Sequence, residues 1–404
     1  MKILAICQYY YPENFQINDI CEQLVHDGNE VTVITGLPNY PSGIIPCEYK
    51  HGQNRDEMIN GVRVIRCFEI ARRNGIVGLA VNYLSYCISA TLKANKLTGD
   101  FDIVFVYQLS PVLMAIPGIK YAHKNKIPLL LYCCDLWPES MKLIIKEEHN
   151  FLFQVIKKIS TSIYTACNRI LTQSTSFIPY MEHVHSIPHN KLAYLPAFAS
   201  EDYLKIAPTS GTGTINFVFL GNIGIAQNVE GIIDAVAGLS DLEGFLVHIV
   251  GDGSNLENVM RKVSNLGLDN NIRFYGRRPV KEMPYFYKLA DACIVSLNAD
   301  NLTGLTLPSK VQGYMAAGKP IIGMIDGSAR EVIHESGCGI CVPSGDVKGM
   351  SNIMRDFITN GYKYKDCGAN GRRYFMKHFS KKVFMDTLYN EFNELRNVKN
   401  AAIC

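Results

Sequence analysis

Three features of the 404-residue sequence predict two doubly wound α/β domains. Short β-branched runs alternate with amphipathic stretches. A segment rich in Pro, Ser, Thr and Gly, PAFASEDYLKIAPTSGTG at 196–213, interrupts that alternation near the middle, and the alternation then resumes at once. Strands that alternate with helices imply parallel sheets with right-handed crossovers. The chain is too long for one ordinary core, and the interrupting segment has the composition of a surface linker.

In the first series, Lys2 to Cys7, Val31 to Thr35, Val62 to Cys67, Ile103 to Tyr107, Leu129 to Cys133 and Ile170 to Gln173 read as strands. Ile17 to His26, Val112 to His123 and Phe151 to Cys167 read as helices, since their apolar residues recur at helical spacing. The opening MKILAICQYYYPE has aromatics where a signal peptide would have a small-residue cleavage site, so it reads as a first strand. Ile76 to Leu92, flanked by Arg72, Arg73 and Lys93, contains Gly78, Asn82, Ser85, Tyr86, Ser89 and Thr91. It falls short of the roughly 20 apolar residues of a membrane span and reads as a core or interfacial helix.

The second series places strands at Asn216 to Leu220, Leu246 to Val250, Ile272 to Tyr275, Cys293 to Leu297 and Pro320 to Ile325. The tail, Lys381 to Lys399, alternates Phe384, Leu388, Phe392 and Leu395 with charges, which is an amphipathic helix with one face to bury.

Composition narrows the function. A hydrophobic content of 48% with 19% charged residues describes a globular protein, and a net charge of +3 without a basic–aromatic block argues against a nucleic-acid partner. Thirteen irregularly spaced cysteines suit a reducing compartment. Cys338 and Cys341 form a lone CxxC with no second pair, so they read as two small buried residues. His183, His185 and His189 lack a supporting carboxylate or cysteine motif and read as a loop rather than a metal site.

Residues 301–325, NLTGLTLPSKVQGYMAAGKPIIGMI, read as a loop, an amphipathic helix with Val311, Tyr314 and Met315 on one face, and a buried strand. Pro308 suits the first helical turn, Gly318 the C-terminal cap, and Pro320 stops the helix. Unpaired N–H groups around Leu307, Ser309 and Lys310 offer a seat for a diphosphate, which is also what an ordinary buried helix start would look like. GNIGIAQ at 221–227 and Gly251, Asp252 and Gly253 each follow a strand and could aim backbone N–H groups at phosphate. Leu256 stands where a dinucleotide fold wants its third glycine, so a redox cofactor is not expected.

In the first half, QYYYPENFQIND at 8–19 and CCDLWPESM at 133–141 follow strands, where open α/β sheets hold ligands. Asp135 and Glu139 are the candidates for an acid/base or cation-stabilising group; the alternative is that Asp135 caps a helix. Trp137 suits sugar stacking or core filling.

The run PSKVQGYMAAGKPIIG resembles the donor-site segment of the retaining family-four nucleotide-sugar glycosyltransferases of GT-B fold, especially the branch that builds bacterial O-antigen and capsule. The resemblance covers nearly the whole chain. It implies an N-terminal Rossmann-like acceptor domain (1–198), a Rossmann-like donor domain (199–378), a cleft between them and a final crossover helix (379–404). It also implies a donor site of Asn222, Gly224, Gln227, Gly251, Asp252, Gly253, Arg278, Thr303, Gly304, Leu305, Thr306, Leu307, Ser309 and Lys310. Acceptor or sugar contacts would come from Tyr10, Pro12, Glu13, Asn14 and Trp137. The family's two glutamates fall on Leu305 and Gly313, and its diphosphate-binding arginine and lysine fall on Asn222 and Gln227. Positive charge for the leaving group must then come from elsewhere, with Lys310 first and Arg277, Arg278 and Lys319 behind it. A histidine frequent before the loop aspartate is Cys134 here.

The expected activity is transfer of a sugar, of the N-acetylated deoxy-amino type such as fucosamine, from a UDP-sugar to a hydroxyl of a lipid-linked glycan. No cofactor and no metal are expected. The expected location is the cytoplasmic face of the bacterial plasma membrane, docked on anionic lipid. A UDP-sugar epimerase of the same fold, or a non-catalytic nucleotide-sugar-binding subunit, are the rival readings.

Overall fold

A computed structural model describes residues 1–73, 75–142, 150–207, 213–298 and 305–401. Thr303 and Gly304 of the expected donor loop lie outside the described residues. The chain forms two compact units, Met1–Gln173 with Phe177–Leu195 and Thr387–Cys404, and Ser174–Ser176 with Pro196–Asp386. The second unit thus begins at Pro196 rather than 199, and it claims Ser174–Ser176 because the hydroxyls of Ser174 and Ser176 bond to that of Ser328 at 2.9 and 2.6 Å.

The first unit is built on eight strands: β1 (Lys2–Ile6), β2 (Glu30–Thr35), β3 (Asp56–Ile59), β4 (Val62–Arg66), β5 (Ile103–Gln108), β6 (Leu129–Cys133), β7 (Arg169–Thr172) and β8 (Leu192–Tyr194), in the order β3-β4-β2-β1-β5-β6-β7-β8. All pairings are parallel except β3 with β4. The central strands IVFVYQ and LLLYC are buried along their whole length, as strands covered on both faces must be. Strand β3 was not expected. It is a polar edge strand turned onto β4 by Asn60-Gly61, both at positive φ, the favoured two-residue hairpin turn. Strand β8 also escaped the sequence reading; at three residues it is too short to show a period.

Helices α1 (Gln16–His26), α2 (Ile76–Lys96), α3 (Ile116–Asn125), α4 (Phe151–Thr165) and α5 (Phe177–His185) belong to this unit. The expected helix from Val112 begins instead as a 3₁₀ turn, Val112–Ala115, that leads into α3. His183 and His185 lie in α5, which corrects the loop reading; their apolar neighbours Phe177 and Met181 are buried at helical spacing.

Helix α2 is one-sided. Its inner face is bonded into the unit: Asn82 accepts from Gln8 Nε2 and donates to the Ile70 carbonyl, and Tyr86 donates to the Cys7 carbonyl. Its outer face carries Val77, Val81, Leu84, Ile88 and Leu92, all exposed, Val77 by 77%. These positions form one stripe at helical spacing. By length and hydropathy α2 is long enough to cross a bilayer, yet its inner polar bonds hold it on the unit's surface.

The second unit has a wholly parallel six-stranded sheet of β9 (Ile215–Leu220), β10 (Phe245–Val250), β11 (Ile272–Phe274), β12 (Ala292–Ser296), β13 (Ile321–Met324) and β14 (Gly339–Val342), in the order β11-β10-β9-β12-β13-β14. Strand β14 was not expected; it covers Cys341, and Cys338 just before it is a free buried thiol. The helices are α6 (Val229–Ala237), α7 (Leu256–Asn265), α8 (Met283–Leu289), α9 (Ser309–Ala316), α10 (Gly327–Ser336), α11 (Val347–Asn360) and α12 (Cys367–His378). Helix α9 is not amphipathic as expected. Residues Val311 to Ala316 are all buried, because α9 packs against both the sheet and α12.

The final helix, α13 (Lys381–Ala401), starts in the second unit and ends in the first. There Phe392 meets Phe105 edge-on at 5.7 Å, and Glu391 accepts from Arg169 Nε and Nη2 at 2.6 and 2.8 Å. A buried phenyl ring contributes roughly 1.5–3 kcal/mol, so the helix is anchored chiefly by its apolar face.

Candidate active site

In the second unit the loops after β9, β10 and β11 are joined through their backbones. The Ile223 N–H donates to the Asp252 carbonyl and the Asn255 N–H to the Ile223 carbonyl, while the Gly251 N–H reaches Gly276. This closeness demands glycine. A Cβ on Gly251, whose φ is +151°, would stand 1.8 Å from the Gly221 carbonyl oxygen. Gln227 closes the first loop by accepting from Asn222 Nδ2 and the Gly224 N–H at 3.1 and 3.2 Å. Asn298, after β12, braces it through the Ala226 and Ile225 carbonyls. Asn222, Gly224 and Gln227 are therefore brought together, and so are Gly251, Asp252 and Gly253, whose N–H is taken by Asp252 Oδ1.

Lys310 joins this group from the first turn of α9. Its ammonium is buried, has no hydrogen-bond partner among the described residues, and lies 3.8 Å from the Phe219 ring centroid. A Cβ on Gly221, at φ +136°, would come within 3.1 Å of it. Burial pushes its pKa down to about 7. A buried cation without an anion is costly, and the ring face offsets only part of that cost. The other cations considered do not share the place. Lys319 is buried before β13, beside Asp291 at the amino ends of the strands. Arg278 is exposed, donating to the Tyr275 carbonyl and standing 3.9 Å from Glu282. Arg277 is exposed as well.

Of the two positions where the resemblance implies a glutamate, Gly313 has a structural explanation. A Cβ on Gly313 would lie 2.5 Å from the Tyr287 hydroxyl, so Tyr287 occupies the space a side chain would need. The Leu305 carbonyl accepts from Ser174 Oγ. Ser174, Thr175, Ser176 and Ser328 form a hydroxyl cluster there that sequence reasoning missed, because only the fold brings residues so distant together. Leu307 is a core residue, Ser309 is exposed at the start of α9, and Thr306 is half-buried.

In the first unit, loops after β1, β2 and β4 are tied by buried polar groups. Glu13 accepts from the backbone N–H groups of Asn39 and Tyr40, and Asn39 Nδ2 donates to Glu69, which also accepts from Gln8. Burial raises Glu13 to about 7 and pushes Glu69 up as well. Two expectations are corrected here. Glu13 is committed to holding a loop, and Tyr10 is buried against Cys21, so neither is open to a sugar. Pro12 and Asn14 lie beside them, Pro12 exposed and Asn14 on the surface of the same turn. Tyr9, Phe15 and Tyr40 instead form a ring cluster with centroids 5.2 to 5.4 Å apart.

After β6, Asp135 accepts from Ser110 Oγ at 2.7 Å, and Ser110 Oγ accepts from Trp137 Nε1 at 3.0 Å. It does not cap a helix. Burial raises its pKa, and no cation pairs with it among the described residues. Trp137 is buried, so it positions this chain of bonds and is not a stacking surface. Glu139 differs: Tyr180 donates to one oxygen and Lys142 pairs with the other, each at 2.5 Å. Both of its oxygens are occupied, and it is corrected to a structural role. His185 is held neutral by burial, its ring between the Trp137 carbonyl and Thr161.

Comparison with known proteins bears on the fold and the activity. Residues 205–374 match the family model for glycosyl transferases group 1. The chain is 25% identical to a probable glycosyltransferase, WbjE, of Pseudomonas aeruginosa over 71% of this chain and 74% of that one. It is 23% identical to a putative colanic acid biosynthesis glycosyl transferase, WcaI, of Escherichia coli K12 over 79% and 82%. An O-antigen chain mannosyltransferase C of Escherichia coli is 22% identical over 99% and 100%. Among solved structures, the sucrose-phosphate synthase of Thermosynechococcus elongatus superposes with a TM-score of 0.78 at 13% identity over 98% and 99% of the two chains. Anabaena HepE in complex with UDP gives 0.71 at 13% identity over 98% and 100%. The fold is GT-B, and the sequence matches support a glycosyltransferase. The stretch that matches the group 1 model lies within the second unit, where the buried lysine stands.

Proposed function

We propose that this glycosyltransferase moves a sugar from a UDP-sugar to a hydroxyl of a lipid-linked glycan in assembly of a bacterial O-antigen or capsule. The observation that carries the reading is the buried, unpartnered ammonium of Lys310 beside the glycine-sutured loops of the second unit. A diphosphate supplies the anion that this cation lacks, and the cation stabilises the charge that develops as the diphosphate leaves. The bond from the sugar C1 to the diphosphate oxygen breaks, and a bond from C1 to the acceptor oxygen forms. In this reading Asp135 takes the hydroxyl proton, since its carboxyl is the one in that loop without a cation. Retention at C1, as in family four, and a deoxy-amino sugar such as fucosamine are part of the proposal.

Relatives named for colanic acid and O-antigen synthesis support the polysaccharide assignment, and the UDP complex of HepE supports the nucleotide. No metal or cofactor is needed in this reading, because Lys310 serves the leaving group. A lipid-linked acceptor calls for a membrane surface, and the exposed stripe of α2, with Arg72 and Arg73 before it and Lys93 and Lys96 at its end, suits the inner leaflet. The test is thermal unfolding with a panel of nucleotides and UDP-sugars, since binding to the native state raises its stability. UDP protecting the wild type but not Lys310→Met is expected; equal protection of both would remove Lys310 from the site. Conversion of the UDP-sugar without any acceptor would instead favour an epimerase.

A further inference from the structure

Arg72 is a cation of the first unit that the fold positions but does not pair. Its N–H donates to Asn39 Oδ1 at 2.8 Å, and its carbonyl oxygen stands where a Cβ on Gly43 would come to 2.2 Å. Its backbone is thereby fixed between the β2 loop and the start of α2. The guanidinium lies 5.5 Å from the Tyr40 ring centroid, 3.4 Å from the Tyr9 hydroxyl and in contact with Tyr83. Arg63, Arg66 and Arg169 of the same unit all have carboxylate partners, whereas Arg72 has none among the described residues.

Its neighbours define what it would hold. On one side begins the exposed apolar stripe of α2, Val77 to Leu92, and no Asp or Glu occurs from Arg72 to Thr98. On the other side is the exposed ring of Tyr40, backed by the buried ring of Tyr9. The planar cation thus adjoins both α2, which carries the apolar stripe, and the exposed ring of Tyr40. A molecule with an apolar chain, a phosphate and a sugar, in that order, has the same sequence of chemistries. Arginine suits the middle element because its fixed fork matches phosphate oxygens. We infer that Arg72 binds the phosphate that joins the acceptor glycan to its lipid. The inference rests on the proposed lipid-linked acceptor and makes Arg72 a positioning residue for it.

The test uses the full chain with farnesyl diphosphate as probe, read by the fluorescence of Trp137, the only tryptophan. Inorganic diphosphate and farnesol serve as half-probes, and anionic and neutral vesicles report general headgroup binding. Arg72→Ala should weaken farnesyl diphosphate by about tenfold or more, the loss of a charge-assisted contact, with Arg72→Lys recovering only part. Farnesol binding and UDP protection should be unchanged in both variants. Equal affinity of wild type and Arg72→Ala for farnesyl diphosphate overturns the assignment. So does a loss confined to anionic vesicles, which would make Arg72 a headgroup contact. Either failure leaves the acceptor reading standing, because that reading fails separately, if the wild type glycosylates nothing in a lipid extract of bacterial membranes.

Discussion

Lys310 makes the sharpest prediction at the level of single residues. Its folded pKa of about 7 lies below the ordinary lysine value of 10.5. The unfolded chain therefore binds the extra proton between pH 7 and 10.5, and stability should rise with pH across that window and be lost as pH falls through 7. A bound diphosphate restores the charge, so UDP binding at pH 8 should take up a proton. Calorimetry in buffers of different ionisation enthalpy measures this directly, and Lys310→Met should abolish both the proton uptake and the pH-dependent gain. Turnover in that variant should fall by about 10²–10³-fold. Asp135 and Glu139 should separate cleanly. Asp135→Asn should lower kcat by about 10²–10⁴-fold and remove an acid limb that sits above the usual carboxylate range, while UDP protection survives. Glu139→Gln should keep kcat and cost roughly 1–3 kcal/mol of stability, since it strips Lys142 and Tyr180 of their partner.

Helix α2 is the element whose outward face the fold leaves unexplained. Asn82 and Tyr86 hold its inner side, so charge placed on the outer stripe should leave folding intact. Flotation of wild type, Val81→Asp and Ile88→Asp with vesicles checks its role. The wild type should float with anionic lipid at low salt and be released at high salt, and both variants should stay at the bottom. Wild-type protein that ignores every vesicle would remove α2 from the membrane. Among the loops, Gly251→Ala should collapse UDP binding, because a methyl group there meets the carbonyl of Gly221, the residue that leaves room for the Lys310 ammonium.

At the level of the whole molecule, a mainly parallel and a wholly parallel sheet each present loops at the carboxyl ends of their strands, with a buried lysine on the second and, on the first, an aspartate that has no cation partner among the described residues. If Lys310 serves the leaving diphosphate without a metal, activity on a UDP-sugar should persist in excess EDTA; its loss, with recovery on adding a divalent ion, would contradict that reading. The helix α13 belongs to both units, and Glu391→Gln should weaken its hold on the first by removing one charge from the bidentate pair with Arg169.

The alternation of β-branched runs with helical spacing determined the architecture without help from the coordinates, since period and length are local properties. Pro308, Gly318 and Pro320 likewise framed α9 from the sequence alone. Even the hairpin at Asn60-Gly61 was written there and passed over, its flanking strand being polar. What the sequence could not determine was which polar residues were already occupied. Glu13 was expected to be a sugar contact, and Glu139 and Asp135 read as equals because both are carboxylates that follow the same strand. Only the tertiary structure gave the first to two backbone N–H groups and the second to Lys142 and Tyr180. It alone left Lys310 buried without an anion, and it alone filled the space at Gly313 with Tyr287. Partnership and burial arise between residues far apart in the chain, and no local pattern encodes them.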